Sequence, residues 1–371
     1  MPLPSTDPDN YQALLAEKLA QFRLAFAPFA IPESEVFPSA PEHYRLRAEF
    51  RVWHQDDELH YAMFDPENPK QPVMVDDFPM AAESICGLMP RLMARLRASQ
   101  TLRGGLFQAD FLATLSGELM VTLIYHRPLG IGWELAARDL AADLGVQIIG
   151  RSRGQKVVLD RDWLLEEFEL NGRHLRYQQV EGSFTQPNGG VNRQMLGWAC
   201  AQAASLGGDL LELYCGNGNF TMALAPLFGR ALATEVSKSS VHAAQYNMVA
   251  NEVGNLALVR ASSAEIADAL AGRTVLKRMK EIDLAGYRFS TLFVDPPRSG
   301  LDATTLEFAT GFDNILYISC NPQTLQENVA ALQATHRVAA LAATHEIRAA
   351  AVFDQFPYTH HLESGLLLTR R

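Results

Sequence analysis

The spacing of apolar residues along the chain changes character at two points. Between Tyr11 and Phe22, Leu14, Leu15, Leu19 and Phe22 recur at helical spacing and predict an amphipathic helix. From Tyr44 to His54 the period falls to two. Leu46, Ala48, Phe50 and Val52 share one side, and Arg45, Arg47, Glu49, Arg51 and Trp53 share the other. The polar turn Gln55-Asp56-Asp57-Glu58 leads into Leu59 to Phe64, so these runs form a hairpin. A second hairpin is expected from Phe107 to Leu115 and Leu119 to Tyr125, with helices over Ala81 to Ala98 and Trp133 to Leu144. This is α+β patterning, in which an antiparallel sheet can bury one face and leave the other to a partner.

Beyond about Gly182 the pattern alternates. Short apolar runs at Leu210–Leu213, Ala231–Thr234, Leu256–Val259, Thr291–Val294, Ile315–Ser319 and Leu366–Thr369 read as buried strands. Helical stretches over Thr221 to Phe228, Ser239 to Glu252 and Pro322 to Thr335 separate them. Such alternation predicts a doubly wound, Rossmann-like α/β domain with a mostly parallel sheet. The expected organisation is an N-terminal α+β domain over residues 1–178 and a catalytic domain over residues 179–371, with the boundary near Arg176 to Glu181.

Composition narrows the picture modestly. A length of 371 residues and 48% hydrophobic content suit two domains with real cores. No apolar run approaches a bilayer span, and Met1 to Asn10 lack the layout of a secretory signal. Four scattered cysteines, Cys86, Cys200, Cys215 and Cys320, form no Cys-x-x-Cys pair, so no metal or iron–sulfur site is expected. Together these features point to a cytoplasmic protein with no membrane contact. The net charge of -10 works against a nucleic-acid partner, yet what matters is clustering on one face. Arg45, Arg47 and Arg51 supply such a cluster, although a charge run is more often an ordinary solvated surface.

The candidate chemistry sits at strand ends. The turn in LLELYCGNGNF follows an apolar strand, where glycines admit close approach of a ligand and the next helix offers free N–H groups. Glu235, about 20 residues beyond, suits ribose hydroxyls. The third glycine of a dinucleotide fingerprint is missing, the preceding strand carries Glu212, and a second acidic strand end follows at Asp295-Pro296-Pro297-Arg298. These features favour S-adenosylmethionine over a dinucleotide, although either acid could instead cap a helix. At the end of another strand stands Ser319-Cys320-Asn321-Pro322. A thiolate adding to carbon 6 of uracil makes carbon 5 nucleophilic enough to take a methyl group, and a base must then remove the carbon 5 proton. Cys320 is the candidate nucleophile, with Arg298 or a helix N-terminus to favour its thiolate. Glu363 is the first candidate base and His361 the second, the carboxylate being shielded by Phe356 and Tyr358. Cys200 and Cys215 read as buried small apolar residues.

The segments SFTQPN, LLELYCGNGNF, LATEVSKSSVHAAQYN, VDPPRSGL, YISCNP and FDQFPYTHHLE resemble the RNA uracil-5-methyltransferase family, and most closely its bacterial tRNA branch. The resemblance covers nearly the whole chain. It implies a class I S-adenosylmethionine-dependent methyltransferase that forms 5-methyluridine in the T-loop of tRNA. It further implies donor binding by Gln186, Tyr214, Asn219, Glu235 and Asp295, nucleophilic attack by Cys320 and proton removal by Glu363. An N-terminal RNA-binding domain and extrusion of the target uridine come with it. The tRNA T-arm would be the partner of what is expected to be a monomer. The absence of a cluster-binding cysteine set and of an added N-terminal barrel sets the chain apart from ribosomal-RNA relatives. Two alternatives stay open: the same chemistry on tmRNA or ribosomal RNA, and an RNA-folding protein whose methylation is secondary. Candidate RNA contacts are Arg51 and Phe107, with Trp53 beside them, and Arg298 near the thiol. The alanine-rich stretch around Ala330 to Ala351 is longer than the family pattern suggests.

Overall fold

The computed structural model describes residues 6–56, 58–65, 67–334 and 345–371. They form two compact units whose division departs from a single cut at residue 178. The first unit comprises residues 6–9, Ala40–Phe168 and Gln179–Gly189; the second comprises Asn10–Ser39, Glu169–Gln178 and the described part of Gly190–Arg371. The chain changes unit inside the hairpin of strands Trp163–Leu170 and Arg173–Val180. The N-terminal helix, expected to belong with the α+β half, instead packs in the second unit.

In the first unit seven strands form one sheet. Their order is Asn68–Met74, Glu58–Asp65, Arg47–Gln55, Leu106–Ala113, Leu119–Tyr125, Gln147–Ser152 and Gln155–Val158. Both expected hairpins form, with Trp53 opposite His60 in one and Phe111 opposite Val121 in the other. Asp57, in the first turn, lies outside the described residues. The alternation of Arg47–Gln55 is realised in its burial: Ala48, Phe50 and Val52 are buried, while Glu49 and Trp53 are exposed. Helix Glu83–Ala98 buries Ile85, Leu88, Met89, Leu92 and Leu96 against the apolar face. There the rings of Phe50, Tyr61, Phe78 and Phe111 cluster at 5–6 Å. The strand Asn68–Met74 carries Pro69 and Pro72, which cost ladder donors and are tolerated because it lies at the sheet edge. One pair departs from antiparallel expectation. Leu119–Tyr125 and Gln147–Ser152 run parallel, joined through helix Ile131–Leu144. That crossover packs Trp133 over Gly150, where any Cβ would lie 2.3 Å from the indole.

The second unit holds an eight-stranded sheet. Its order is Glu35–Phe37, His345–Phe353, Glu363–Arg370, Asn314–Ser319, Phe289–Val294, Asp209–Leu213, Ala231–Glu235 and Leu256–Arg260. Every pairing is parallel except the two made by Glu363–Arg370. From Asp209–Leu213 the chain winds outward to Leu256–Arg260, then returns to Phe289–Val294 on the other side. A crevice therefore opens at the carboxyl ends of Asp209–Leu213 and Phe289–Val294, the switch point where such sheets bind ligands. Helix Tyr11–Phe26 runs a turn beyond its predicted end and seats Phe22 and Phe26 in a core with Leu211, Leu292, Ile315 and Leu366. The helix expected over Thr221 to Phe228 shortens to Thr221–Leu224 followed by a 3-10 turn at Pro226, whose ring cannot donate to the helical ladder. Pro322–Ala334 is helical, while Thr335 and the alanine-rich residues up to 344 lie outside the described residues. The strand His345–Phe353, absent from the apolar pattern, pairs along one whole side of Glu363–Arg370.

Candidate active site

Strand Asp209–Leu213 delivers the glycine-rich turn to the switch point. Tyr214 leaves the strand at φ 61°, a left-handed conformation uncommon for a bulky residue, and its hydroxyl donates to Ser263 Oγ at 3.2 Å. Gly216 and Gly218 follow at φ 56° and 83°. A Cβ on Gly216 would point into open space, so this backbone is bare to an incoming group. The turn is held from behind. Asn219 and Asn192 exchange amide hydrogen bonds at 2.8 and 3.0 Å, and buried Asn247 donates to Asn217 O. Glu235, at the end of the neighbouring strand, accepts from the N–H groups of Gly216, Val236 and Ser237. Helix Lys238–Ala250 is capped by Ser237 rather than by Glu235. Val236, next in the chain, is 64% exposed, an apolar side chain left beside a carboxylate. This cradle suits a nucleoside: the carboxylate for a ribose diol, an apolar wall for a base and bare backbone for the remainder.

The candidate nucleophile Cys320 and the candidate base Glu363 come from the ends of two neighbouring strands. Asn314–Ser319 and Glu363–Arg370 are antiparallel, with Ser319 opposite Ser364, so Cys320 leaves one strand where Glu363 begins the other, near enough for the carboxyl to act on the thiol's charge. Glu363 is therefore the first residue of its strand, not part of the loop ahead of it. Gly365, two residues on, accepts the indole of Trp198, which any Cβ would meet at 2.6 Å. Asn321 and Thr324 both donate to Arg298 O, coupling the Cys320 turn to the Asp295-Pro296-Pro297-Arg298 turn. Pro322 opens the following helix, where its missing N–H is no loss.

Burial and neighbouring charges shift the titratable groups gathered here. Burial pushes the Cys320 thiol up to about 11, reinforced by the carboxyls of Glu363 and Asp295 and opposed by Arg298. Burial raises Asp295 to about 7, and it holds Glu363 well above the ordinary carboxylate range, with Asp295 adding to the effect and Arg298 opposing it. Glu363 is 5% exposed. Of the two nearby rings flagged in the sequence, Phe356 lies edge-on to His361, and Tyr358 stands 6.2 Å from Tyr11. His361 contacts Arg298 Nη2 through Nδ1 at 2.8 Å, and burial with Arg298 lowers its pKa, so its ring is already occupied. Glu212, deep under the glycine turn, is pushed up to about 8 by burial and then by Asp295. Its Oε2 has no partner among the described residues. Cys200 and Cys215 are buried and raised by that burial, as their apolar surroundings require.

The structure thus brings Tyr214, Asn219, Glu235, Asp295, Cys320 and Glu363 to one end of one sheet, with Arg298 among them. Gln186 is half-buried in the segment that belongs to the first unit, next to Pro187, whose carbonyl accepts from Leu46 N–H. Arg51 and Phe107 come together in the first unit. The Arg51 guanidinium lies 3.8 Å over the Phe107 ring, which packs at 4.0 Å on His126. They line an open cavity of about 990 Å³ with Trp53, Phe64 and Gln108. Arg51 Nη1 is shielded from solvent without a partner among the described residues. Sequence reasoning missed Val236, Asn192 and Asn247 behind the turn, and a buried lysine on the N-terminal helix; none belongs to a spacing pattern that flags function. Among the described residues no group of three or more His, Cys, Asp or Glu could hold a metal ion, and no helix is long and apolar enough to cross a membrane.

Residues 10–371 match the family described as tRNA (uracil-5-)-methyltransferase. A tRNA/tmRNA (uracil-C(5))-methyltransferase of Aromatoleum aromaticum is 69% identical over 371 residues, spanning 100% of this chain and 98% of that one. A protein of the same name from Azotobacter vinelandii is 54% identical over the full length of both. The solved structure of a Pyrococcus abyssi tRNA (uracil-54, C5)-methyltransferase with S-adenosyl-L-homocysteine superposes with a TM-score of 0.71. It shares 20% identity and covers 97% of this chain and 84% of that one, a likeness of fold. The chain therefore belongs to the tRNA (uracil-5-)-methyltransferase family.

Proposed function

We propose that the protein methylates carbon 5 of a uridine in the T-loop of tRNA, with S-adenosylmethionine as methyl donor. The observation that supports this reading is the antiparallel pairing of Ser319 with Ser364, which ends beside both Cys320 and Glu363 at the ligand-binding end of the sheet. Tyr214, Asn219, Glu235 and Asp295 would hold the donor, Glu235 taking its ribose and Val236 flanking its base. When bound, the donor supplies an electrophilic methyl group. The chain's own residues do the rest. Cys320 adds to carbon 6 of the pyrimidine and so loads carbon 5 with electron density. Arg298 favours the thiolate and offsets negative charge between Asp295 and Glu363. Once carbon 5 carries the methyl group, Glu363 takes the remaining proton, the double bond re-forms and Cys320 departs.

The face formed by Arg51, Trp53, Phe64 and Phe107 is the reading's RNA surface. Aromatic rings offer stacking to unpaired bases, and the Arg51 guanidinium beside them supplies positive charge for the phosphates. tmRNA, which appears with tRNA in the names of the relatives, is a second substrate on the same grounds. The test uses a T-arm hairpin carrying 5-fluorouridine at the target, which has no carbon 5 proton to lose. A denaturation-resistant adduct linked through Cys320 is expected; attachment at another residue, or no adduct with active enzyme, removes the mechanism.

A further inference from the structure

Helix Tyr11–Phe26 buries one stripe of side chains, Tyr11, Leu15, Lys18, Phe22 and Phe26. Four are apolar or aromatic, as core packing demands. The fifth is a lysine only 7% exposed. A buried ammonium costs several kcal/mol of desolvation unless it is paired and its hydrogen bonds are filled. Lys18 fills all three: Asp354 Oδ1 at 2.6 Å, Phe356 O at 2.8 Å and His361 O at 3.2 Å. These acceptors are spread along the connection between strands His345–Phe353 and Glu363–Arg370, whose Phe353 and Glu363 face each other. One nitrogen thus ties the beginning, the middle and the end of the loop that delivers Glu363. Further contacts tighten the brace: Asp354 N–H donates to Phe37 O, and the Tyr11 hydroxyl accepts from Ser39 N–H. An apolar residue at position 18 would fill the stripe at lower cost, so the charge serves the loop rather than the core.

We propose that Lys18 is a positioning residue for proton removal: by bracing residues 354–361 it fixes the Glu363 carboxyl over carbon 5 of the adduct. This rests on Glu363 being the base. In the step concerned, the carbon 5 proton passes to the Glu363 carboxylate, its bonding pair becomes the carbon 5–carbon 6 double bond, and Cys320 leaves carbon 6 as thiolate. Loss of the brace would slow this step while sparing thiol addition.

The test pairs Lys18→Met with Asp354→Asn, so that no carboxylate is stranded, and runs Lys18→Arg beside it, which keeps the charge but not the three-way geometry. In both variants the adduct with 5-fluorouridine RNA should form at the wild-type rate. Turnover of ordinary uridine RNA should slow by roughly 10- to 100-fold, the usual cost of a small misplacement, with covalent adduct visible at steady state. Wild-type turnover, slowing shared equally by adduct formation, or failure of both variants to fold would overturn the proposal. Glu363→Gln, measured in parallel, separates the two readings. Normal turnover there sinks the base assignment, whereas adduct in that variant and none in the Lys18 variants removes Lys18 alone.

Discussion

The two sheets of this protein use the same polypeptide chemistry in opposite ways. In the first unit an almost wholly antiparallel sheet covers one face with helices and leaves Arg51, Trp53 and Phe107 on the other. In the second, the central parallel strands are buried on both faces; Asn314–Ser319 and Asp209–Leu213 are buried at every position. Its reactive groups gather only where those strands stop. Alternation permits a working face, whereas a sheet buried on both faces forces function to its ends. Binding area and chemistry are therefore expected to come apart under mutation.

The sharpest test of that separation is Cys320→Ala. Methyl transfer should fall by roughly 10⁴-fold or more, the scale of losing a nucleophile, while donor affinity and RNA binding persist. Residual transfer near the wild-type rate would mean that the sheet ends do not hold the chemistry. Next comes Glu363→Gln, which should accumulate covalent protein–RNA species with ordinary uridine, as seen on denaturing gels. On the first unit's face, Phe107→Ala should weaken RNA binding by about 1–3 kcal/mol, the worth of one stacked base, with kcat at saturating RNA unchanged. A fall in kcat without a change in KM would merge the two regions instead of dividing them. The last prediction concerns stability alone. Glu212 has a folded pKa near 8 against an ordinary 4.5, so the folded state binds more protons than the unfolded state between those values. Stability should then fall as pH rises from about 4.5 to 8, and Glu212→Gln should raise Tm at pH 8 while changing it little at pH 4. An equal shift at both pH values would show that the carboxyl is not the cause.

Legibility in the sequence followed the range of the forces involved. The hairpin Arg47–Gln55/Glu58–Asp65 and the strands Ala231–Glu235 and Asn314–Ser319 were visible because one short window carries their pattern. The turn at Tyr214 to Asn219 was visible because glycines advertise backbone that other residues adopt at a cost. His345–Phe353 was not: its Ala349, Ala350 and Ala351 give no strand signal, and it exists because Glu363–Arg370 pairs with it. Helix Tyr11–Phe26 is legible as a helix but its neighbours are not, since amphipathicity says that a face is buried and not against what. The buried role of Lys18 was invisible for a related reason, its acceptors lying 336 to 343 residues away.

The residue types able to perform this chemistry, and the strand ends that carry them, were written in the chain, because turn formation and strand burial are local responses to side-chain size and polarity. Which thiol faces which carboxyl was decided only by the antiparallel insertion of Glu363–Arg370 beside Asn314–Ser319. The pairing of strands remote in sequence is a property of the assembled sheet, and no window of sequence contains it.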